Sequence, residues 1–218
     1  GWVSPLNTIY AVPRFPWLSY VLGGGLFGVG MVLASGCPTK NLVRLGGGSL
    51  KALVVLLVMG MSGLATMRGA PGMLRVQVFD PVTVGVESGP FIGQWLATLS
   101  GLPLAQALLL TALLVALPLL AWVLRGRDFA QANNWLAGLG IGSILLALWW
   151  VSGVTGFVPE HPDTLEPVFV GTASGRMEGL SFTGPVAQWL DAFMYQADGR
   201  KRTTLGMVLV PGVVLGAA

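Results

Sequence analysis

Residues 104–124 limit the fold more than any other stretch, because they contain no charged side chain. A helix of that length is about as long as the hydrocarbon core of a bilayer is thick, roughly 30 Å. Apolar runs over residues 17–35, 50–67 and 135–158 are of similar length. Together the four runs predict an all-α integral membrane protein with several spans.

The composition agrees with a membrane setting and points to an anionic ligand. Hydrophobic residues make up 54% of the chain and charged residues only 10%, with a mean hydropathy of +0.75. That leaves too little charge to cover a soluble surface. No acidic residue precedes Asp80, whereas six cations do: Arg14, Lys40, Arg44, Lys51, Arg68 and Arg75. An anion suits this half better than a cation, and we expect no nucleic-acid partner.

The first apolar run is broken around the only cysteine of the chain, Cys37. Gly36 can end one helix as its C-cap, and Pro38 can open the next helix at its first position. Three glycines, at 46–48, then end this second helix after about two turns. The pattern predicts a half-length helix inside an apolar context, with Cys37 in the break before it.

A break of this kind is a suitable place for an anion. Free N–H groups and the positive dipole end of the short helix would face the thiol, and Lys40 and Arg44 share one face at i and i+4. Transporters build substrate sites from such broken helices. The predicted substrate-binding residues are Gly36, Cys37, Pro38, Thr39, Lys40 and Arg44. Two alternatives stay open: an inert buried cysteine, and loop cations that only set the orientation of the chain.

Other patterns concern how the helices are arranged. Gly24 with Gly28, and Gly138 with Gly142, form GxxxG pairs that predict close helix packing. The sequence Gly-Pro-Phe-Ile-Gly-Gln-Trp-Leu at 89–96 returns as Gly-Pro-Val-Ala-Gln-Trp-Leu at 184–190. This echo indicates a pseudo-symmetric internal repeat, unless two interfacial helices merely share a tryptophan anchor.

The basic clusters predict which loops are cytoplasmic. The loop that contains Arg125 and Arg127, and the cluster at 200–202, should both lie on the cytoplasmic side. Both can do so only if the chain between them crosses the membrane twice. Residues 181–196 should therefore form a half-helix that brings the chain back to the cytoplasmic side. His161 is isolated from other metal ligands, and we expect neither a metal nor a cofactor.

The stretch Gly-Val-Gly-Met-Val-Leu-Ala-Ser-Gly-Cys-Pro-Thr-Lys-Asn-Leu-Val-Arg-Leu-Gly-Gly-Gly, at 28–48, resembles the YeeE/YedE sulfur-transport family of bacterial inner-membrane proteins. The likeness runs from about residue 23 to 67, with weaker support from 68–81. It implies pseudo-symmetric halves of full and broken helices, uptake of thiosulfate, and Cys37 as one of several cysteines along a central pathway.

One departure from that family concerns the extent of the chain. The family's later motif of Gly-Cys-Thr-Val-Gly type is absent, and the apolar run at 205–218 is about five residues too short to span a bilayer. We therefore expect an internal piece of a longer protein with a single transport domain over 1–218. Its first motif half would cover about 17–125, and 135–218 would begin the second.

Three functions are compatible with these residues. The first is inner-membrane uptake of thiosulfate or a related small sulfur anion through thiol contacts, since an S–H group can hold a terminal sulfur transiently. The second is a membrane sulfurtransferase in which Cys37 carries a persulfide and passes sulfur to a small cytoplasmic carrier protein. No general acid or base stands near Cys37 in the sequence to support that chemistry. The third, a purely structural membrane subunit, leaves the cationic first half unused.

Overall fold

The computed structural model describes residues 4–12, 14–85, 89–126, 131–160, 165–195 and 203–218, and these are mainly helical. The α-helices are α1 (Trp17–Leu33), α2 (Pro38–Gly46), α3 (Leu50–Arg68), α4 (Ala70–Leu74), α5 (Ile92–Ser100), α6 (Leu104–Arg125), α7 (Ala132–Trp150), α8 (Thr183–Met194) and α9 (Leu205–Gly216). π-Helical turns at Arg75–Phe79 and Val151–Thr155 follow α4 and α7.

Four short strands pair in two antiparallel ladders. Strand β1 (Arg14–Phe15) pairs with β2 (Val84–Gly85), and β3 (Phe157–Val158) pairs with β4 (Val168–Phe169). Each ladder joins segments outside the long helices, so the strands close loops and do not build a sheet core.

The predicted all-α membrane fold is confirmed. Four stretches of the described chain are long and apolar enough to cross a bilayer: Trp17–Gly46, which includes the break, Leu50–Arg68, Leu104–Arg125 and Ala132–Thr155. The first stretch extends beyond the predicted run because it includes α2, and the bounds of the other three agree with the predicted runs to within a few residues, because hydropathy and terminal caps are local properties.

The packed centre of the described chain surrounds the short helix α2. Leu42 of α2, Leu56 of α3 and Phe182, just before α8, form a buried cluster, and α9 covers it with residues such as Val210. Along α1, in contrast, no residue is buried. The half-length helices are thus held by protein contacts, whereas the long spans keep apolar surfaces of the kind that lipid solvates.

The glycines that permit close packing are not those that the GxxxG pattern predicted. No heavy atom of the described residues lies within 4 Å of where a Cβ would stand at Gly24, Gly28, Gly138 or Gly142. Among the described residues, no other helix therefore packs closely at these pairs.

Close packing occurs at other positions, which lie on α3. A Cβ built at Gly60 would stand 3.2 Å from Val186 Cγ1, and one at Gly63 would stand 3.2 Å from Ala187 Cβ. These two glycines therefore let α8 cross α3 closely. The motif predicts that a face can pack closely, but only the fold decides which face receives a neighbour.

The two Gln-Trp-Leu echoes both fall in short helices. The first lies in α5 and precedes α6, and the second lies in α8 and precedes α9. They therefore occupy matching places in the order of helices, as the predicted internal repeat requires. Their tryptophans differ in surroundings: Trp95 Nε1 donates to Gly89 O at 2.8 Å, whereas Trp189 Nε1 donates to Met207 O at 2.7 Å and ties α8 to α9.

The predicted half-helix over 181–196 is present as α8. At about 18 Å it is too short to cross a bilayer. Arg127 and the basic cluster at 200–202, on which the predicted topology depends, lie outside the described residues, so that topology stays a prediction. His161, where no metal site was expected, lies outside them too.

Candidate functional site

The break before α2 has the hydrogen bonds of a Schellman C-cap. Gly36 N–H donates to Met31 O at 2.9 Å, and Ser35 N–H donates to Val32 O at 3.2 Å. In this motif the residue in the left-handed conformation comes directly before the residue whose N–H forms the hydrogen bond of larger sequence separation, here Gly36. It is therefore Ser35, with φ +56°, that takes the left-handed position predicted for Gly36.

Gly36 follows in a conformation that also favours glycine. Its φ is +151°, and a Cβ at this position would stand 2.6 Å from Lys40 Cδ. The aliphatic part of the Lys40 side chain therefore lies directly over the Gly36 backbone. Any side chain at position 36 would therefore push the Lys40 side chain away from the break.

Cys37 is the N-cap residue of α2, and Pro38 takes the first helical position, as the sequence predicts. The cysteine is half-buried and not in a disulfide. The backbone N–H groups of Thr39 and Lys40 lie near its sulfur, but neither forms a capping hydrogen bond with it. The thiol and the donor end of the helix thus face the same small region.

Asn41 is a site residue that the sequence reasoning missed. Its side chain is almost fully buried, with 1% exposed, and its Nδ2 donates to Gly36 O and Cys37 O, each at 3.2 Å. The amide therefore clamps the two peptide units that carry the thiol. A signal in the sequence was available: Asn41 is a polar residue four positions after Cys37 and next to the apolar Leu42. A polar side chain buried at such a position is unfavourable unless it forms hydrogen bonds.

Lys40 and Arg44 lie on the exposed face of α2 but have different partners. Arg44 Nη1 donates to Ser35 O at 3.1 Å, so its charge stands at the carbonyl end of α1. Within the described chain, neither cation has a carboxylate within 4.0 Å. Two other helical cations of the first half are paired with carboxylates: Arg68 with Asp191 and Arg75 with Asp80.

Comparison with known proteins decides the family. The profile of a family described as sulphur transport matches residues 3–218. The chain belongs to this sulphur transport family. The predicted resemblance is confirmed, and with four candidate spans the chain is a multi-pass membrane protein.

Two curated relatives agree with the family assignment. A thiosulfate transporter TsuA of Escherichia coli strain K12 is 30% identical over 216 residues, which cover 95% of this chain and 56% of the relative. A thiosulfate transporter TsuA of Spirochaeta thermophila is 31% identical over 206 residues, which cover 90% of this chain and 54% of the relative. The chain spans about half the length of the curated relatives it matches.

In this member of the sulphur transport family, a cleft adjoins the break. It has a volume of about 880 Å³ and lies between α1 and α3, where its lining runs from Gly23 on α1 to Ala34, just beyond that helix, and from Val54 to Met67 on α3. Most of the lining is apolar, and the hydroxyl groups in it belong to Ser62, Thr66 and Thr183. Ala34 places one end of the cleft three residues from the cysteine.

Metal chemistry finds no support in the parts of the family fold that the structure describes. No group of three or more His, Cys, Asp or Glu side chains that could hold a metal ion occurs among those residues. The site consists instead of a thiol, backbone donors and two cations. Such a set suits the transient binding of a small anion better than a covalent reaction that needs a proton carrier.

Proposed function

We propose that the protein takes up thiosulfate or a related small sulfur anion across the bacterial inner membrane, and that the anion contacts the Cys37 thiol. Membership of the sulphur transport family and the transporter names of two relatives support this proposal. The observation that carries it is the placement of Cys37 as the N-cap of α2, where the thiol stands at the N–H end of the helix.

The chemistry of the substrate fits this arrangement. Thiosulfate is a dianion with a terminal sulfur, which accepts a weak hydrogen bond from an S–H group. The N–H groups of Thr39 and Lys40 would face the anion at the positive end of α2, where the helix dipole favours negative charge. The Lys40 ammonium adds a full charge. Each contact is weak or exposed, and a conducting site must also release its ion.

Gly36 and Pro38 act through the backbone in this proposal. Proline at the first position of α2 removes an N–H that has no helical partner and fixes the direction of the helix. Glycine at position 36 leaves room for the Lys40 stem. Together they set where the thiol stands relative to the helix end.

Arg44 and Asn41 counteract an unfavourable feature of the break. The carbonyl end of α1 is the negative end of its dipole and would repel an anion. The carbonyls of Ser35, Gly36 and Cys37 are each bound by a side-chain donor of α2, either Arg44 or Asn41. We therefore assign Arg44 the role of offsetting these carbonyls, and Lys40 that of attracting the substrate.

Uptake of labelled thiosulfate by cells that make the full-length protein tests the proposal. Cys37→Ala should abolish or strongly reduce uptake per amount of membrane protein, and Cys37→Ser should be nearly as poor, because a hydroxyl is a harder partner for a terminal sulfur. Ser143→Ala is a matched control, since it also removes a single side-chain atom but from an exposed face of α7. Normal uptake by both Cys37 variants would refute the role of the thiol.

Mass spectrometry separates transport from sulfur transfer. Under the transport proposal, the Cys37 peptide stays an unmodified thiol during turnover. A persulfide that builds up on Cys37 and is discharged by a small cytoplasmic sulfur-carrier protein would favour a membrane sulfurtransferase instead.

A further inference from the structure

The Arg68–Asp191 ion pair lies in the wall of a second cavity. This cavity has a volume of about 590 Å³ and is enclosed by the end of α3, by α8, and by residues 168–175 and 203–207. Arg68 Nη1 and Asp191 Oδ1 are 3.2 Å apart. The pair thus joins two helices at the edge of a space far larger than a small anion.

The two members of the pair differ in exposure. The side chain of Asp191 is 8% exposed, whereas that of Arg68 is 64% exposed. A guanidinium carries five N–H donors, and one of those of Arg68 is engaged with Asp191 in the described structure. The arginine is therefore held at one point and presents its remaining donors to the cavity.

An ion pair is not the simplest way to join these helices. Only the carboxylate is buried, and an ion pair whose cation is exposed to solvent usually contributes little to stability. In membrane proteins, paired ionisable groups commonly mark the path of a substrate or an ion. Arg68 ends a candidate membrane span, Leu50–Arg68, and so stands where such a path would open.

Other donors line the same cavity. Thr204 Oγ1 donates to Gln188 Oε1 at 2.8 Å, so the NH₂ group of this amide is the end that a ligand can use. Thr203 adds a hydroxyl, and Asp191 is the only acidic residue in the described lining. Because the Asp191 carboxylate is paired with Arg68, an oxyanion in this cavity would meet mainly hydrogen-bond donors.

The second cavity adjoins the cleft beside Cys37. Met67 lines both spaces, and the cleft follows α3 from Val54 to Met67. At 1.5 Å per residue this is about 20 Å. The two spaces therefore meet at Met67, the residue next to Arg68.

We propose that the cavity at Arg68 is a second binding site for a sulfur oxyanion, with the Arg68 guanidinium and the Gln188 amide as its donors. The inference rests on the proposed transport function and extends it from one site to two. The charge of Asp191 partly offsets that of Arg68, so this site binds weakly, as a site along a conducting path must.

A double variant tests the site without leaving a buried charge unpaired. Arg68→Gln with Asp191→Asn replaces the ion pair by two amides that can still hydrogen-bond, so the contact between α3 and α8 is kept while the cation is lost. Arg75→Gln with Asp80→Asn is the matched control, since it neutralises the other described ion pair, which does not line this cavity.

The apparent KM for thiosulfate uptake is the first readout. Loss of a charge-assisted contact should raise it about fivefold or more in the Arg68 double variant, with the maximal rate much less affected, while the control pair stays within twofold. An unchanged KM in the Arg68 double variant would show that the pair only joins the helices. If that variant does not reach the membrane, Arg68→Lys replaces it in the test. Lysine keeps the positive charge but lacks the planar guanidinium, so the apparent KM should still rise. An unchanged KM would overturn the proposal.

Binding to the purified protein distinguishes a failure of this proposal from a failure of the transport function. In full-length Cys37→Ala protein, millimolar thiosulfate or sulfate should raise the thermal midpoint, and the Arg68 double variant should remove that shift. A wild-type protein without thiosulfate uptake would refute the transport function but leave this measurement valid. Stabilisation that persists unchanged in the Arg68 double variant would refute the second site.

Discussion

Asn41→Leu should destabilise the break more than its modest change in size suggests. Leucine has the same number and branching of side-chain heavy atoms as asparagine, but it cannot donate to the carbonyls of Gly36 and Cys37. The Cys37 carbonyl keeps one partner, the Asn41 backbone N–H at 3.1 Å, whereas no other donor to the Gly36 carbonyl occurs in the described structure.

The size of the effect follows from these two bonds. Losing an ordinary hydrogen bond costs about 1 kcal/mol, and leaving a carbonyl unsatisfied costs about 1 to 3 kcal/mol. The sum is about 2 to 4 kcal/mol. For a domain of about 200 residues, this corresponds to a fall in thermal midpoint of roughly 4 to 16 °C.

Two measurements on the purified full-length protein check this prediction. The thermal midpoint should fall by that amount, and alkylation of Cys37, followed on its own peptide by mass spectrometry, should change in rate because the thiol is no longer held at the helix end. Asn133→Leu, at an exposed position in the first turn of α7, should leave both quantities nearly unchanged. Equal midpoints and equal alkylation rates for wild type and Asn41→Leu would refute the proposed clamp.

Two further predictions concern the cations of α2 and the helix crossing. Lys40→Gln should raise the apparent KM for thiosulfate about fivefold or more, and Arg44→Gln should raise it less, because Arg44 is bound to a backbone carbonyl. Uptake normalised to membrane protein at two salt concentrations measures both effects, and an unchanged KM for Lys40→Gln at either concentration would rule out its binding role. Gly63→Val should weaken the contact of α3 with α8 and lower the thermal midpoint, whereas Gly138→Val, where a side chain meets open space, should not. Equal midpoints for the two glycine variants would contradict the crossing described above.

The order of helices and the break before α2 were predictable from the sequence, because they depend on local properties. Hydropathy over about 20 residues identifies a span, and Pro38 at a first helical position marks a helix start. The position of Cys37 between two helices followed from these signals. The left-handed position was predicted at Gly36, one residue too late, because the sequence alone allows either Ser35 or Gly36 to end the helix. In the structure the N–H of Gly36 binds Met31 O, which places Ser35 in the left-handed position.

The tertiary structure alone decided which residues act together. Arg68 and Asp191 are 123 positions apart, so the charge pattern of the first half could not show that one of its cations is neutralised. The two carbonyls that Asn41 binds are only four and five residues away, but its burial depends on the packing of α2 in the fold. GxxxG pairs predict a surface that another helix can approach, yet the close crossing uses Gly60 and Gly63. The physical reason is that a local pattern sets what a side chain can do, whereas long-range packing sets whether it is buried and which distant partner it meets.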